Sequence, residues 1–135
     1  MPAKDHHHDI VKRALIKDGW RIVREQVFVR YEDRHIWLDI QAERTSDEKI
    51  ALFEVKGFED VSSPVNVFES ALGQYMLYRA ILEALNIATP LFLTVPREAY
   101  DDILSQSFFQ VALRKAGVKL MIFDPVKEEI VQWIP

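Results

Sequence analysis

Apolar residues recur at helical spacing from His8 to Asp18, where Ile10, Val11, Ala14 and Leu15 share one face and Gly19 stands where such a helix would stop. From Arg21 to Tyr31 the period drops to two, with Ile22, Val23, Val27, Phe28 and Val29 separated by charged residues. A second strand is predicted over Arg34 to Gln41, where Ile36, Leu38 and Ile40 alternate with Trp37, Asp39 and Gln41, and a third over Lys49 to Lys56, ended by Gly57. Glu43 to Glu48 reads as a polar turn between them, and Asp60 to Pro64 as a loop. Val67 to Leu85 carries the longest helical pattern, with Phe68, Ala71, Leu72, Tyr75, Met76 and Leu82 at steps of three and four. Pro90 to Val95 is a continuous apolar run, the pattern of a strand buried on both faces. Arg97 to Ala116 reads as helix in one or two pieces, with Gly117 as its stop. Val118 to Phe123 and Ile130 to Ile134 read as strands around an Asp124-Pro125 turn. The order α-β-β-β-α-β-α-β-β predicts an α/β fold: a mixed central β-sheet flanked by helices, with at least one crossover through the long helix.

Composition narrows the class. With 135 residues, 49% of them hydrophobic and 28% charged, the chain is expected to form one soluble globular domain over 1–135. The absence of cysteine excludes disulfide scaffolds, thiolate metal sites and thiol nucleophiles, and fits a cytoplasmic protein. Met1 to Asp9 is polar and does not read as a signal peptide, and no apolar run is long enough to span a membrane. Seventeen basic against twenty-one acidic residues give a net charge of −4, no general reason to expect nucleic acid. The split is uneven: residues 1–35 hold eight Lys/Arg against six Asp/Glu. Lys12, Arg13, Lys17, Arg21, Arg24, Arg30 and Arg34 read first as the solvated faces of a helix and a hairpin, and second as a basic patch gathered on one side.

The second and third strands carry the candidate chemistry. Alternation points Glu54 and Lys56 to one face and Phe53 and Val55 to the other, and Asp39 lies between the apolar Leu38 and Ile40. If the strands pair as a hairpin, two carboxylates and an ammonium meet on one face, an arrangement that is costly unless the charges pair or hold an ion. Two carboxylates with room for water suit Mg²⁺ or Mn²⁺, and a neighbouring lysine can orient an attacking water in metal-assisted phosphodiester hydrolysis. On spacing alone, a structural Asp/Glu–Lys network explains the pattern equally well. Asp47-Glu48-Lys49 has a similar pattern in the polar turn, where solvation accounts for it.

Asp39, then Glu54-Val55-Lys56, then a helix bearing Gln74-Tyr75-Met76-Leu77-Tyr78 resembles the PD-(D/E)xK nuclease superfamily, with its restriction-endonuclease-like core, and the Gln-x-x-x-Tyr step resembles that of its RecB-like branch. The spacing of four puts Gln74 and Tyr78 on one helix face. Over the whole chain the likeness is closer still. Met1-Pro2-Ala3-Lys4-Asp5, Ala14-Leu15-Ile16-Lys17-Asp18-Gly19-Trp20, Ala71-Leu72-Gly73-Gln74-Tyr75 and Ile130-Val131-Gln132-Trp133-Ile134-Pro135 closely resemble the XisH family of cyanobacterial fdxN-element excision controlling factors. That resemblance implies a role beside an XisI-like partner in programmed DNA excision during heterocyst development, where a separate recombinase cuts and rejoins the DNA.

The superfamily resemblance implies Asp39, Glu54 and the Val55 backbone carbonyl as metal ligands, Lys56 as catalytic lysine and Gln74 as a support, with Tyr78 open between site and core. His8 and Asp9 stand nearest to the acidic position often found in the first helix of such proteins, although a polar group there more often caps the helix. Leu38 stands where the motif has proline. His6-His7-His8 reads first as an adventitious transition-metal binder and only secondarily as a native metal site, and His35 reads as a strand-surface residue. Two functions follow: a metal-dependent DNA endonuclease, or a non-catalytic regulator that keeps the fold and acts through its partner. A defence or toxin-like system is a more remote third. DNA contact, direct or through the partner, and self-association stay open.

Overall fold

The computed structural model describes residues 5–59 and 62–135. Met1–Lys4, which open the family-like string, and Asp60, the head of the expected loop, lie outside the described residues. The chain runs α1 (His8–Lys17), β1 (Trp20–Tyr31), β2 (Arg34–Arg44), β3 (Ile50–Val55), α2 (Pro64–Ala84), β4 (Leu91–Pro96), α3 (Arg97–Ala99), a π-helical turn (Tyr100–Leu104), α4 (Ser107–Ala116), β5 (Lys119–Asp124) and β6 (Glu129–Ile134). The strands form one six-stranded sheet in sequence order. β1–β2, β2–β3 and β5–β6 are antiparallel, whereas β3–β4 and β4–β5 are parallel and need crossovers, through α2 and through α3 to α4. Among the described residues no helix is long and apolar enough to cross a membrane.

The sheet separates two apolar clusters. On one face α2 contributes Phe68, Ala71, Tyr75 and Leu82 and α4 contributes Phe109 and Leu113, packed on Leu52, Leu91, Leu93, Val95, Leu120 and Ile122. On the other, Val11 and Leu15 of α1 meet Trp20, Ile40, Ala42, Phe53, Val55, Met121 and Phe123. β4 is covered on both sides, hence its unbroken apolar run. Gly117 closes α4 at φ +64, a left-handed conformation that suits glycine.

Tyr75 fastens α2 to the sheet: its hydroxyl donates to the Leu91 carbonyl at 2.7 Å and accepts from the Lys119 N–H at 3.2 Å. Tyr75→Phe strands both backbone groups, and chemical denaturation is expected to show a loss of about 1–3 kcal/mol; an unchanged midpoint would contradict this anchoring.

Several expectations are corrected. Met76 is 43% exposed, since the turn of α2 that carries it buries Tyr75 instead. β2 runs on to Arg44, so the expected polar turn is shorter. Ile36, Leu38 and Ile40 do not share one face: Ile36 and Leu38 pack with α2 and α4, Ile40 with α1. β1 makes the same switch: Glu25, opposite Ile40, reaches His8 of α1, whereas Val27, two residues on, lies on the α2 side. The hairpin therefore changes its buried face at Gln26 and Asp39, which lie opposite each other between the pairs Glu25–Ile40 and Val27–Leu38. Gln26 is left-handed at φ +51, a conformation that costs a non-glycine residue on the order of 1 kcal/mol or more.

Candidate active site

The β2–β3 ladder ends at the pair Ile40–Phe53. Beyond it the two strands part, and side chains take over from the backbone. The Asp39 N–H donates to Glu54 Oε1 at 3.0 Å, and the Val55 N–H donates to Asp39 Oδ2 at 2.8 Å. Each carboxylate is thus held by the opposite strand's backbone and keeps acceptor capacity on its second oxygen. Glu54 shares the parity of Leu52 along β3 and is 3% exposed, while Asp39 is half-buried. Lys56, also half-buried, extends β3 by donating its N–H to the Thr94 carbonyl at 2.9 Å. Its positive charge acts on both carboxylates.

Two carboxylates this close in a buried fork disfavour full ionisation. Burial and then the charge of Asp39 push Glu54 up to about 8, against which Lys56 and the Asp39 N–H pull down only in part. Burial also raises Asp39, opposed by its bond from Val55. A shared proton or a bound cation relieves that repulsion, and two carboxylates with free acceptor oxygens fit a hard divalent ion.

Gln74 and Tyr78 are linked on α2, the Gln74 side-chain amide donating to the Tyr78 hydroxyl at 2.9 Å. Gln74 Oε1 is buried with no hydrogen-bond partner among the described residues. Tyr78 packs against the core on the α2 side; burial raises its hydroxyl, and the charges of Glu54 and Asp39 add to that in smaller measure. Of the site residues, Lys56 lines a cavity of about 400 Å³, together with Gly57, Asn66 and Ser70 among others.

Sequence reasoning treated His8 as a cap candidate. No side chain caps α1, and His8 is buried at 1% exposure. Its Nε2 lies 2.9 Å from Glu25 Oε1, and its Nδ1 has no hydrogen-bond partner among the described residues. Glu25 also meets Lys12 at 3.0 Å, and these two contacts hold its carboxyl below the usual range. Asp9 stays exposed, 4.0 Å from Lys12. Glu25, Gln26 and Asp5 were missed; the unusual polar stretch Glu25-Gln26 inside an alternating strand was the available signal. His35 is exposed and stacks on Phe28. Much of the basic patch is engaged locally: Arg13 with Glu128 and Arg21 with Glu43, both at 2.8 Å, and Lys17 with the Lys127 carbonyl at 2.7 Å.

Comparison with known proteins places this arrangement in a family. No curated protein gives a significant match. A crystal structure of an XisH family protein from Nostoc punctiforme PCC 73102 is 34% identical, with a TM-score of 0.89 over 97% of this chain and 100% of that one. An fdxN element excision controlling factor protein from Anabaena variabilis is 33% identical, with a TM-score of 0.90 over 98% and 100% of the two chains. The family model described as XisH protein matches residues 1–131, and with that span the chain belongs to the XisH family.

Proposed function

We propose that this protein is a controlling factor for DNA-element excision, built on a restriction-endonuclease-like, PD-(D/E)xK core that binds a divalent metal ion and hydrolyses phosphodiesters. The excision role follows from the family and from the description of the Anabaena variabilis protein. One observation carries the catalytic reading: the fork where β2 and β3 part holds a buried Glu54 and a half-buried Asp39, each bonded to the opposite strand, with Lys56 two residues beyond Glu54. Asp39, Glu54 and the Val55 carbonyl would hold Mg²⁺ or Mn²⁺. Such an ion supplies Lewis acidity toward a phosphate oxygen and acidifies a bound water. Lys56 would orient an attacking water and offset charge on the phosphate. Gln74, through Tyr78, positions the helix side of the site. The organisms of both neighbours point to a cyanobacterial source and hence to excision during heterocyst development.

A second reading, a non-catalytic adaptor working through an XisI-like partner, is favoured by charge. The net −4 and the locally paired basic side chains leave little surface for independent DNA binding. Supercoiled, linear and single-stranded DNA, each incubated with Mg²⁺ or Mn²⁺ and the protein alone or with its partner, separates the two. Cleavage that EDTA abolishes is expected; no cleavage of any form would reject the nuclease and favour the adaptor.

A further inference from the structure

The turn before α1 and the loop after β3 meet in a second group of metal-ligating side chains, apart from the Asp39–Glu54 pair. His6, His7 and Glu59 each bring one donor atom, all within 4.8 Å of one another. His7 Nδ1 is buried and has no hydrogen-bond partner among the described residues. It nevertheless stands 3.4 Å from Glu59 Oε1 and 3.4 Å from Asp5 Oδ1. A nitrogen held at that distance from carboxylate oxygens, with no hydrogen bond between them, matches the edge of a coordination tetrahedron. Ligand atoms bound at about 2.0–2.1 Å to tetrahedral Zn²⁺ lie roughly 3.4 Å apart.

The imidazole is positioned by its surroundings. Its ring meets Phe123 edge-on at 5.6 Å and His6 at 5.1 Å. The His7 N–H donates to Asp5 Oδ1 at 2.9 Å, the His8 N–H to the Asp5 carbonyl at 3.0 Å, and the His7 carbonyl accepts from Val11 at 3.0 Å. Asp5 Oδ2 accepts the Gly57 N–H at 3.2 Å, which joins the turn to the loop. Gly57 leaves the room the ring occupies, because a Cβ there would fall 2.8 Å from His7 Nδ1. Asp5 is occupied by these backbone bonds and acts as a positioning residue. Two imidazoles with one carboxylate suit Zn²⁺ far better than Mg²⁺, which takes oxygen ligands. His6, His7 and Glu59 all line a cleft of about 560 Å³ that Glu98 and Asp102 also border.

We propose that His6, His7 and Glu59 form a transition-metal site of the Zn²⁺ class that ties the N-terminal turn to the loop directly following Lys56. The test is calorimetric titration of ZnCl₂ into the metal-free full chain, with Glu59→Gln, Gly57→Ala and Glu54→Gln beside the wild type. One Zn²⁺ per chain is expected, weakened by about tenfold or more in Glu59→Gln and Gly57→Ala, the size of loss typical when a metal ligand's setting is disturbed, and unaffected by Glu54→Gln or excess Mg²⁺. Glu59 is 55% exposed, so the Gln variant is not expected to disturb folding. Failure of the wild type to bind Zn²⁺ overturns the proposal. So does zinc binding that survives Glu59→Gln but disappears in Glu54→Gln, which would put the ion on the carboxylate pair.

Discussion

Metal-free protein should lose stability as the pH rises from about 4.5 to about 8, and Glu54→Gln should remove most of that loss. The folded carboxyl binds its proton up to about 8, against an ordinary 4.5, because burial and the neighbouring Asp39 charge oppose ionisation. Between those values the folded state holds a proton that the unfolded state has released, so the slope of stability with pH is negative. The contribution is fully present below the ordinary glutamate value and gone above the folded one. At about 1.4 kcal/mol per pKa unit the loss is on the order of a few kcal/mol, shared with the coupled Asp39. Glutamine keeps an oxygen for the Asp39 N–H and carries no titrating proton, so the variant should be the more stable protein at pH 8 in EDTA. Mg²⁺ or Mn²⁺ should restore the wild type at high pH and do little for the variant. Denaturation midpoints measured from pH 5 to 9 decide it; parallel curves for the two proteins would contradict the buried, cation-seeking pair.

Loss of cleavage on substitution of Lys56 or Asp39 should be the largest functional effect. A side chain that helps move a proton in the transition state contributes about 10²–10⁴-fold, so Lys56→Ala should fall by at least about 10²-fold at saturating metal. Asp39→Asn should lose activity chiefly by weakening the ion, and high Mn²⁺ should recover part of it. It keeps a side-chain oxygen for the Val55 N–H, so circular dichroism and the melting midpoint should show an intact fold. Gln74→Ala, one step removed through Tyr78, should cost less than either. Single-turnover cleavage of end-labelled DNA gives these ratios. Undiminished turnover in Lys56→Ala would remove the lysine from the mechanism, and unchanged excision in cells carrying it would favour the adaptor.

What could be read from the chain follows from how local each signal is. The strands, α2 and the stop at Gly117 are legible because alternation, a 3.6 period and a left-handed glycine are written in neighbouring residues. The proximity of Asp39 and Glu54 was legible once two adjacent strands were taken to pair. The face switch at Gln26 and Asp39 was not, because it depends on how a long hairpin twists between α1 on one side and α2 and α4 on the other. Simple alternation therefore put Ile36 with Ile40. The π-helical turn at Tyr100–Leu104 left little mark in a pattern that already read as helix. His8 and Asp5 were hidden for another reason: their partners Glu25 and Gly57 lie 17 and 52 residues away, contacts that only the closed sheet creates. The restriction-endonuclease-like core came from resemblance, whereas the metal was already suggested by two carboxylates on strands taken to pair; both are part of the proposal.

The central claim is that Asp39 and Glu54 together hold one divalent cation, and a crystal soaked in MnCl₂ tests it most directly. An anomalous difference peak between the two carboxylates, within bonding distance of both and of the Val55 carbonyl, is the result expected. A fully soaked crystal with no peak there, and with both carboxylates still bonded to the opposite strand, would contradict it.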